Sequence, residues 1–276
     1  MWSLFSLTEP PQGPVKSVRS CLFALVAICG VVIAYGCCLN NLGLKYSRVS
    51  TDGSRSSGLG CDRELLVLSL EDSNFCCDGI RSSDWVCAAA YDKVNRLLTS
   101  QPWAYFLPLF PLLLTTIFVD HGSVRRLPFY AILFAYRLVV LYWGFDYVQS
   151  HFNAKEKEDQ GRCWYAQFRR KGDCVDHFDF SDHIVFYIVQ VLVPCAIELG
   201  YAVHVAGFNF HGGGIRNRKT WLRIFPTALA CLVLLYLSLR AVLFTSMYFH
   251  TPNENVAGYV LACGLAVWPV GRLLKE

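Results

Sequence analysis

Apolar residues in this chain come in long blocks, without the three-to-four spacing of an amphipathic helix or the strict alternation of a half-buried strand. Blocks of about 18–25 apolar residues are long enough to cross roughly 30 Å of hydrocarbon. On this pattern residues 20–39, 103–119, 127–148, 181–206, 222–245 and 255–271 predict six transmembrane helices, and the predicted fold class is all-α, a polytopic membrane protein. The second block carries Pro108 and Pro111, with Pro102 just ahead of it. A kinked or tilted helix is expected there, since neighbouring groups re-satisfy the backbone that proline frees.

The blocks divide the chain into a tail (residues 1–19), an anchor (20–39), a cysteine-containing segment (40–102) and a helical membrane core (103–276). The opening MWSLFSLTEPPQGPVKSVRS is rich in Pro and Ser and predicts a loose tail. Lys16 and Arg19 precede the first block as they would in a signal peptide, but the block exceeds the usual apolar region and no A-x-A site follows, which predicts a retained anchor. Within 40–102, TDGSRSSGLG is turn-rich and ELLVLSL is too short to cross. WVCAAAYDKVNRLL has helical spacing with a polar side at Asp92, Lys93 and Arg96, so the segment predicts a small elaboration lying on the membrane.

Composition agrees with the pattern: of 276 residues, 54% are hydrophobic and 17% charged. The membrane is the expected environment and no nucleic-acid partner is expected. Loop charge then orients the spans. Arg125 and Arg126, Arg216, Arg218 and Lys219, and Arg272 and Lys275 mark the cytosolic side by the positive-inside tendency, with both termini there. SMYFHTPNEN, without Lys or Arg, fits the opposite side, whereas Lys155, Lys157, Arg162, Arg169, Arg170 and Lys171 in the 148–180 segment run against this orientation. Cys61, Cys76, Cys77, Cys87, Cys163 and Cys174 fall in the two long segments assigned to the lumen, where disulfides form; free thiols are the alternative, and pairing cannot be read from spacing. Cys21, Cys29, Cys37, Cys38, Cys195, Cys231 and Cys263 lie in spans and read as small hydrophobes.

Candidate chemistry sits at span ends. His183, in FDFSDHIVFY, opens the fourth span and His250, in TSMYFHTPNE, closes the fifth, so antiparallel neighbours bring both to one face of the membrane. With Ser181 or Asp179 as the cap, His183 falls in a first helical turn, where unpaired N–H groups and the helix dipole favour phosphate. Glu254 follows His250 by four residues, across Pro252. A carboxylate that fixes one ring nitrogen leaves the other to attack phosphorus or to act as a base.

FDFSDHIVFY, followed about seventy residues later by TSMYFHTPNE within six spans, resembles the fat storage-inducing transmembrane (FIT) family, whose motifs are similar to the histidine motifs of lipid phosphate phosphatases. The resemblance covers roughly residues 100–272. It implies residence in the endoplasmic reticulum, support of lipid-droplet formation and lipid homeostasis, and a fatty acyl-CoA diphosphatase-like activity. That activity cleaves the pyrophosphate of acyl-CoA to acyl 4′-phosphopantetheine and adenosine 3′,5′-bisphosphate. The family's two histidines match His183 and His250 here, with no metal and no cofactor. The site would face the lumen, and diacylglycerol and triacylglycerol would be further partners.

The departures are specific. The family's S-G-H is S-D-H here, with Asp182 in place of glycine, and neither a phosphatase K-x-x-x-x-x-x-R-P motif nor an S-R ahead of His250 occurs. Charge for the phosphate is therefore expected from Arg137 and Arg240, intramembrane arginines that are costly enough to suggest function. The structural alternative pairs these arginines with Asp146 or Glu198. The expected site is His183, His250 and Glu254 for catalysis, with Ser181, Asp182, Arg137 and Arg240 binding substrate.

Rival motifs are weaker. His177 to Asp182 fits the H-x-x-x-x-D of glycerolipid acyltransferases, but no second block follows. Cys174, His177 and His183 have no standard zinc spacing, and HGGG at 211–214 lacks a G-x-S-x-G nucleophile elbow. A non-catalytic scaffold binding diacylglycerol or triacylglycerol is the second hypothesis.

Overall fold

The computed structural model describes residues 12–41, 49–50, 66–67, 75–76, 98, 106–121, 126–136, 139, 143–144, 147, 181–205 and 218–273. Its helices are α1 (Gln12–Asn41), α2 (Leu109–Leu114), α3 (Leu127–Tyr136), α4 (Asp182–Tyr187), α5 (Val193–Val205), α6 (Arg218–Phe244), α7 (Pro252–Ala262) and α8 (Trp268–Leu273). Wider π turns at Thr115–Val119, Ile188–Leu192, Thr245–Phe249 and Cys263–Val267 extend α2, join α4 to α5, extend α6 and join α7 to α8.

The all-α expectation holds for the membrane part. Its one departure among the described residues is a small antiparallel sheet of two-residue strands, β1 (Val49–Ser50), β2 (Leu66–Val67) and β3 (Phe75–Cys76), in the order β1-β2-β3. Val49 stands opposite Val67, and Leu66 opposite Cys76. The run ELLVLSL, too short to cross, supplies the middle strand from β-favouring residues.

Among the described residues three helices are long and apolar enough to cross a membrane: Ser17–Leu39, Asp182–Val205 and Trp221–Met247. They coincide with the first, fourth and fifth predicted blocks. Leu109–Val119 and Leu127–Tyr136 are shorter apolar helices, and the sixth block forms the run α7–α8, which is not among the three. Past Tyr136 most of the third block lies outside the described residues, as do the 148–180 segment and most of 40–102. The expected loose tail is shorter than residues 1–19: α1 already begins at Gln12. Pro14 falls in its first turn, where a missing N–H costs no intrahelical bond, and no breaker follows.

The α4–α5 run is the central strut. Of its apolar window 89% is buried, against 33% for α1 and 44% for α6, because this largely apolar run packs against several neighbouring helices. Helix α1 lies along α5, and α6 packs on α5 from another direction. Gly200 sets the first of these contacts: a Cβ there would lie 2.5 Å from Val18 Cα, the close approach that small residues permit between membrane helices. The outer faces of α1 and α6 expose Val31, Tyr35, Leu222 and Tyr236, as a lipid-facing surface would. All seven cysteines read as small hydrophobes are unpaired, and Cys29, Cys37, Cys195 and Cys231 are buried. The six in the long segments lie outside the described residues, except that Cys76 closes β3.

Near the end of α5 remote from His183, Glu198 is fully buried and holds a forked pair with Arg126, Nε to Oε1 at 3.1 Å and Nη2 to Oε2 at 2.7 Å. The Tyr130 hydroxyl donates to Oε1 at 2.7 Å. The Arg126 guanidinium lies 4.1 Å over the Tyr201 ring, whose hydroxyl donates to Asp120. Glu198 therefore pairs with Arg126, just ahead of α3. It also removes Arg126 from the loop charges that orient the chain.

A buried fork of this kind is costly to halve, because the survivor is an uncompensated charge. Glu198→Gln should lower stability by about 3–5 kcal/mol, read as a fall in the unfolding midpoint of the purified protein in detergent. Changing both partners to apolar residues, Arg126→Met with Glu198→Leu, should recover much of that loss. A double variant as unstable as the single one would show that pairing is not what holds these helices together.

Candidate functional site

Two helix starts meet at one end of the bundle. Ser181 is the N-cap of α4: its backbone is extended, and its Oγ accepts from the Ile184 N–H at 3.4 Å. Of the two candidate caps Ser181 fills the role; Asp179 lies outside the described residues. Thr251 caps α7 through a full capping box, its Oγ1 accepting from the Glu254 N–H at 3.3 Å while Glu254 Oε2 accepts from the Thr251 N–H at 2.8 Å. Pro252 begins that helix, the position that best tolerates it.

The two starts are joined by backbone. The Ser181 N–H donates to the Glu254 carbonyl at 3.2 Å. Gly258, one turn further along α7, makes room for this, since a Cβ there would lie 2.7 Å from the Ser181 carbonyl oxygen. The histidines follow from the junction. His183 opens α4, and His250 is the single extended residue between the π turn ending α6 and the cap of α7. One ligand-capable atom from each of Asp182, His183 and His250 lies within 4.8 Å of the other two.

The surroundings of the two rings differ. His250 is buried, and its Nδ1 lies 3.7 Å from Glu254 Oε2. That is ion-pair range, longer than a hydrogen bond, because the same carboxylate oxygen is engaged at the Thr251 N–H. His183 is part-exposed and its Nδ1 contacts Asp182 Oδ1 at 2.8 Å, with the Asp182 carboxylate on the surface. Asp182 thus stands beside both imidazoles, a placement that the S-D-H sequence could not distinguish from simple repulsion of phosphate.

Of the remaining predicted residues, Arg137 lies outside the described residues, as does His177 of the acyltransferase pattern. The Arg240 guanidinium sits 5.1 Å over the Phe244 ring, ten residues and about 15 Å of helix before His250.

Asn255 was not among the candidates and organises the site. Its amide nitrogen donates to the carbonyls of Ser246 and His250, each at 3.3 Å, and reaches Cys37 Sγ of α1 at 3.8 Å. The break at His250-Thr-Pro leaves helix-end carbonyls without an N–H four residues on. A buried amide just beyond such a break is the signal that would have found it.

Gly258→Ala should push Ser181 away from α7 at a cost of about 1–3 kcal/mol, whereas Gly264→Ala, with nothing within 4 Å of the added carbon, should be neutral or stabilise by about 0.5–1 kcal/mol. Thermal unfolding of the two variants in detergent measures the contrast; equal midpoints would mean that the α4–α7 contact is not tight. Compared with protein-family models, with curated proteins and with solved structures, the chain matches none.

Proposed function

We propose that the chain is a membrane-embedded hydrolase of the fatty acyl-CoA diphosphatase type, as its resemblance to the FIT family implies. The observation that carries the reading is the meeting of His183 and His250, sixty-seven residues apart, within one cluster at a helix junction. With Nδ1 on the Glu254 side, His250 directs Nε2 the other way, to take a proton from the water that attacks phosphorus, or to attack it directly and form a phosphohistidine whose P–N bond water then cleaves. The P–O bond to the departing adenosine 3′,5′-bisphosphate breaks, and His183, steadied by Asp182, gives that oxygen its proton. Ser181 and Asp182 border the phosphate, and Arg240 and Arg137 are the proposed sources of further positive charge.

In this reading six crossings place both termini in the cytosol and the histidines in the lumen of the endoplasmic reticulum, where the products serve lipid homeostasis and droplet formation. Three apolar spans support membrane embedding. A second reading has its own observation: an apolar groove of about 560 Å³, bordered by Phe106, Leu109, Phe110, Leu113, Leu127 and Leu234. It suits a lipid chain and favours a scaffold that holds diacylglycerol or triacylglycerol without chemistry.

Two outcomes are expected. His183→Ala and His250→Ala should each abolish most acyl-CoA turnover while the protein stays inserted, and the double variant should lose little more, because members of one catalytic unit are not additive. The profile of kcat/KM against pH should be bell-shaped, one ring serving neutral and the other protonated; a double loss equal to the product of the single losses would separate the residues. In sealed microsomes, tags at both termini should be digested and a tag beside Asn253 protected. A protected C-terminus would reverse the topology.

A further inference from the structure

We propose that Asp182, His183 and His250 are also a binding site for a divalent cation of the zinc class, and that a metal held there silences the phosphoryl chemistry of the same two rings. The second half rests on the function proposed above; the first stands on geometry alone. One ligand atom from each residue lies within 4.8 Å of the others, and the Asp182–His183 pair is already at 2.8 Å. Zinc bonds of about 2.0–2.2 Å set tetrahedral ligands about 3.3–3.6 Å apart, so the Asp182–His183 pair must open by roughly half an ångström and the widest pair must close by little more than one. Asp182 and His183, 76% and 40% exposed, have room to turn by that amount.

Two imidazole nitrogens with one carboxylate oxygen suit zinc and its neighbours, and three protein ligands leave a fourth position for water. Behind His250 stands a carboxylate of the kind that backs metal-binding histidines, Glu254, whose Oε2 lies 3.7 Å from Nδ1, so Nε2 is on the opposite edge of the ring. The capping box holds Glu254 in place, and the Ser181–Glu254 backbone bond holds the two ligand-bearing helix starts together. A ring nitrogen whose lone pair is on a metal can neither attack phosphorus nor carry a proton. Metal loading and hydrolysis therefore exclude each other. No sequence spacing announces the site, because its ligands come from two helix junctions far apart in the chain.

The test is a Co²⁺ titration of the full chain, purified in detergent and stripped with chelator. One Co²⁺ per chain should give visible bands of a low-symmetry nitrogen–oxygen site, without the near-ultraviolet band of cobalt–thiolate, and Zn²⁺ should displace it. His250→Gln should abolish the bands. Asp182→Asn, which keeps the size of a surface side chain and removes its charge, should weaken binding by more than about tenfold, the scale already set by losing an outer-shell partner. Absent bands, a thiolate band, or bands unchanged in both variants would overturn the site. Zn²⁺ should stop acyl-CoA turnover and chelator restore it; turnover that rises with Zn²⁺ would overturn the exclusion. If the wild-type chain turns over no acyl-CoA, the proposed function fails while the spectra still judge the metal site.

Discussion

The hydrogen bond from the Ser181 N–H to the Glu254 carbonyl is the constraint on which the site depends. Each partner already belongs to a helix cap, one serine cap and one capping box, so the bond links two local structures that short stretches of sequence specify. Gly258 admits the approach and Asn255 closes the break from behind. What results is a rigid corner at the end of the bundle, with His183 on one arm and His250 at the bend of the other. Preorganisation of this kind is what proton transfer and phosphoryl chemistry require, since misplacement by an ångström is costly.

The rest of the bundle holds that corner in the membrane. The buried α4–α5 strut carries His183 at its first turn and the Glu198–Arg126 fork toward its other end, about 22 Å along the axis. Apart from the fully buried Gln190, its polar groups lie toward its two ends, and the length between them packs against α1 and α6. In a spanning helix, charge held toward the ends avoids the cost of charge at mid-depth.

Much of this was legible in the sequence. Three of the six apolar blocks mark, within a few residues, helices long enough to cross a membrane, and antiparallel succession alone places His183 and His250 at the same end. FSDH and HTPNE carry their own cap signals, a serine ahead of His183 and a threonine three residues before Glu254. Less legible were the features that depend on which helices touch. Glu198 had two candidate arginines within spans, yet its partner is Arg126, reached only because α3 starts beside the end of α5. Asn255 reads as an ordinary polar residue until the carbonyls of Ser246 and His250 turn toward it. The extension of α1 back to Gln12 was hidden by Pro14, a residue type that breaks helix interiors but is tolerated in the first turn, where it stands here.

The central claim is that this corner breaks a phosphoanhydride. Incubation of the purified chain with oleoyl-CoA, with products resolved by mass spectrometry, tests it most directly. The account predicts oleoyl 4′-phosphopantetheine and adenosine 3′,5′-bisphosphate in equal amounts. Oleate with intact coenzyme A, or oleoyl-CoA recovered unchanged, would contradict it.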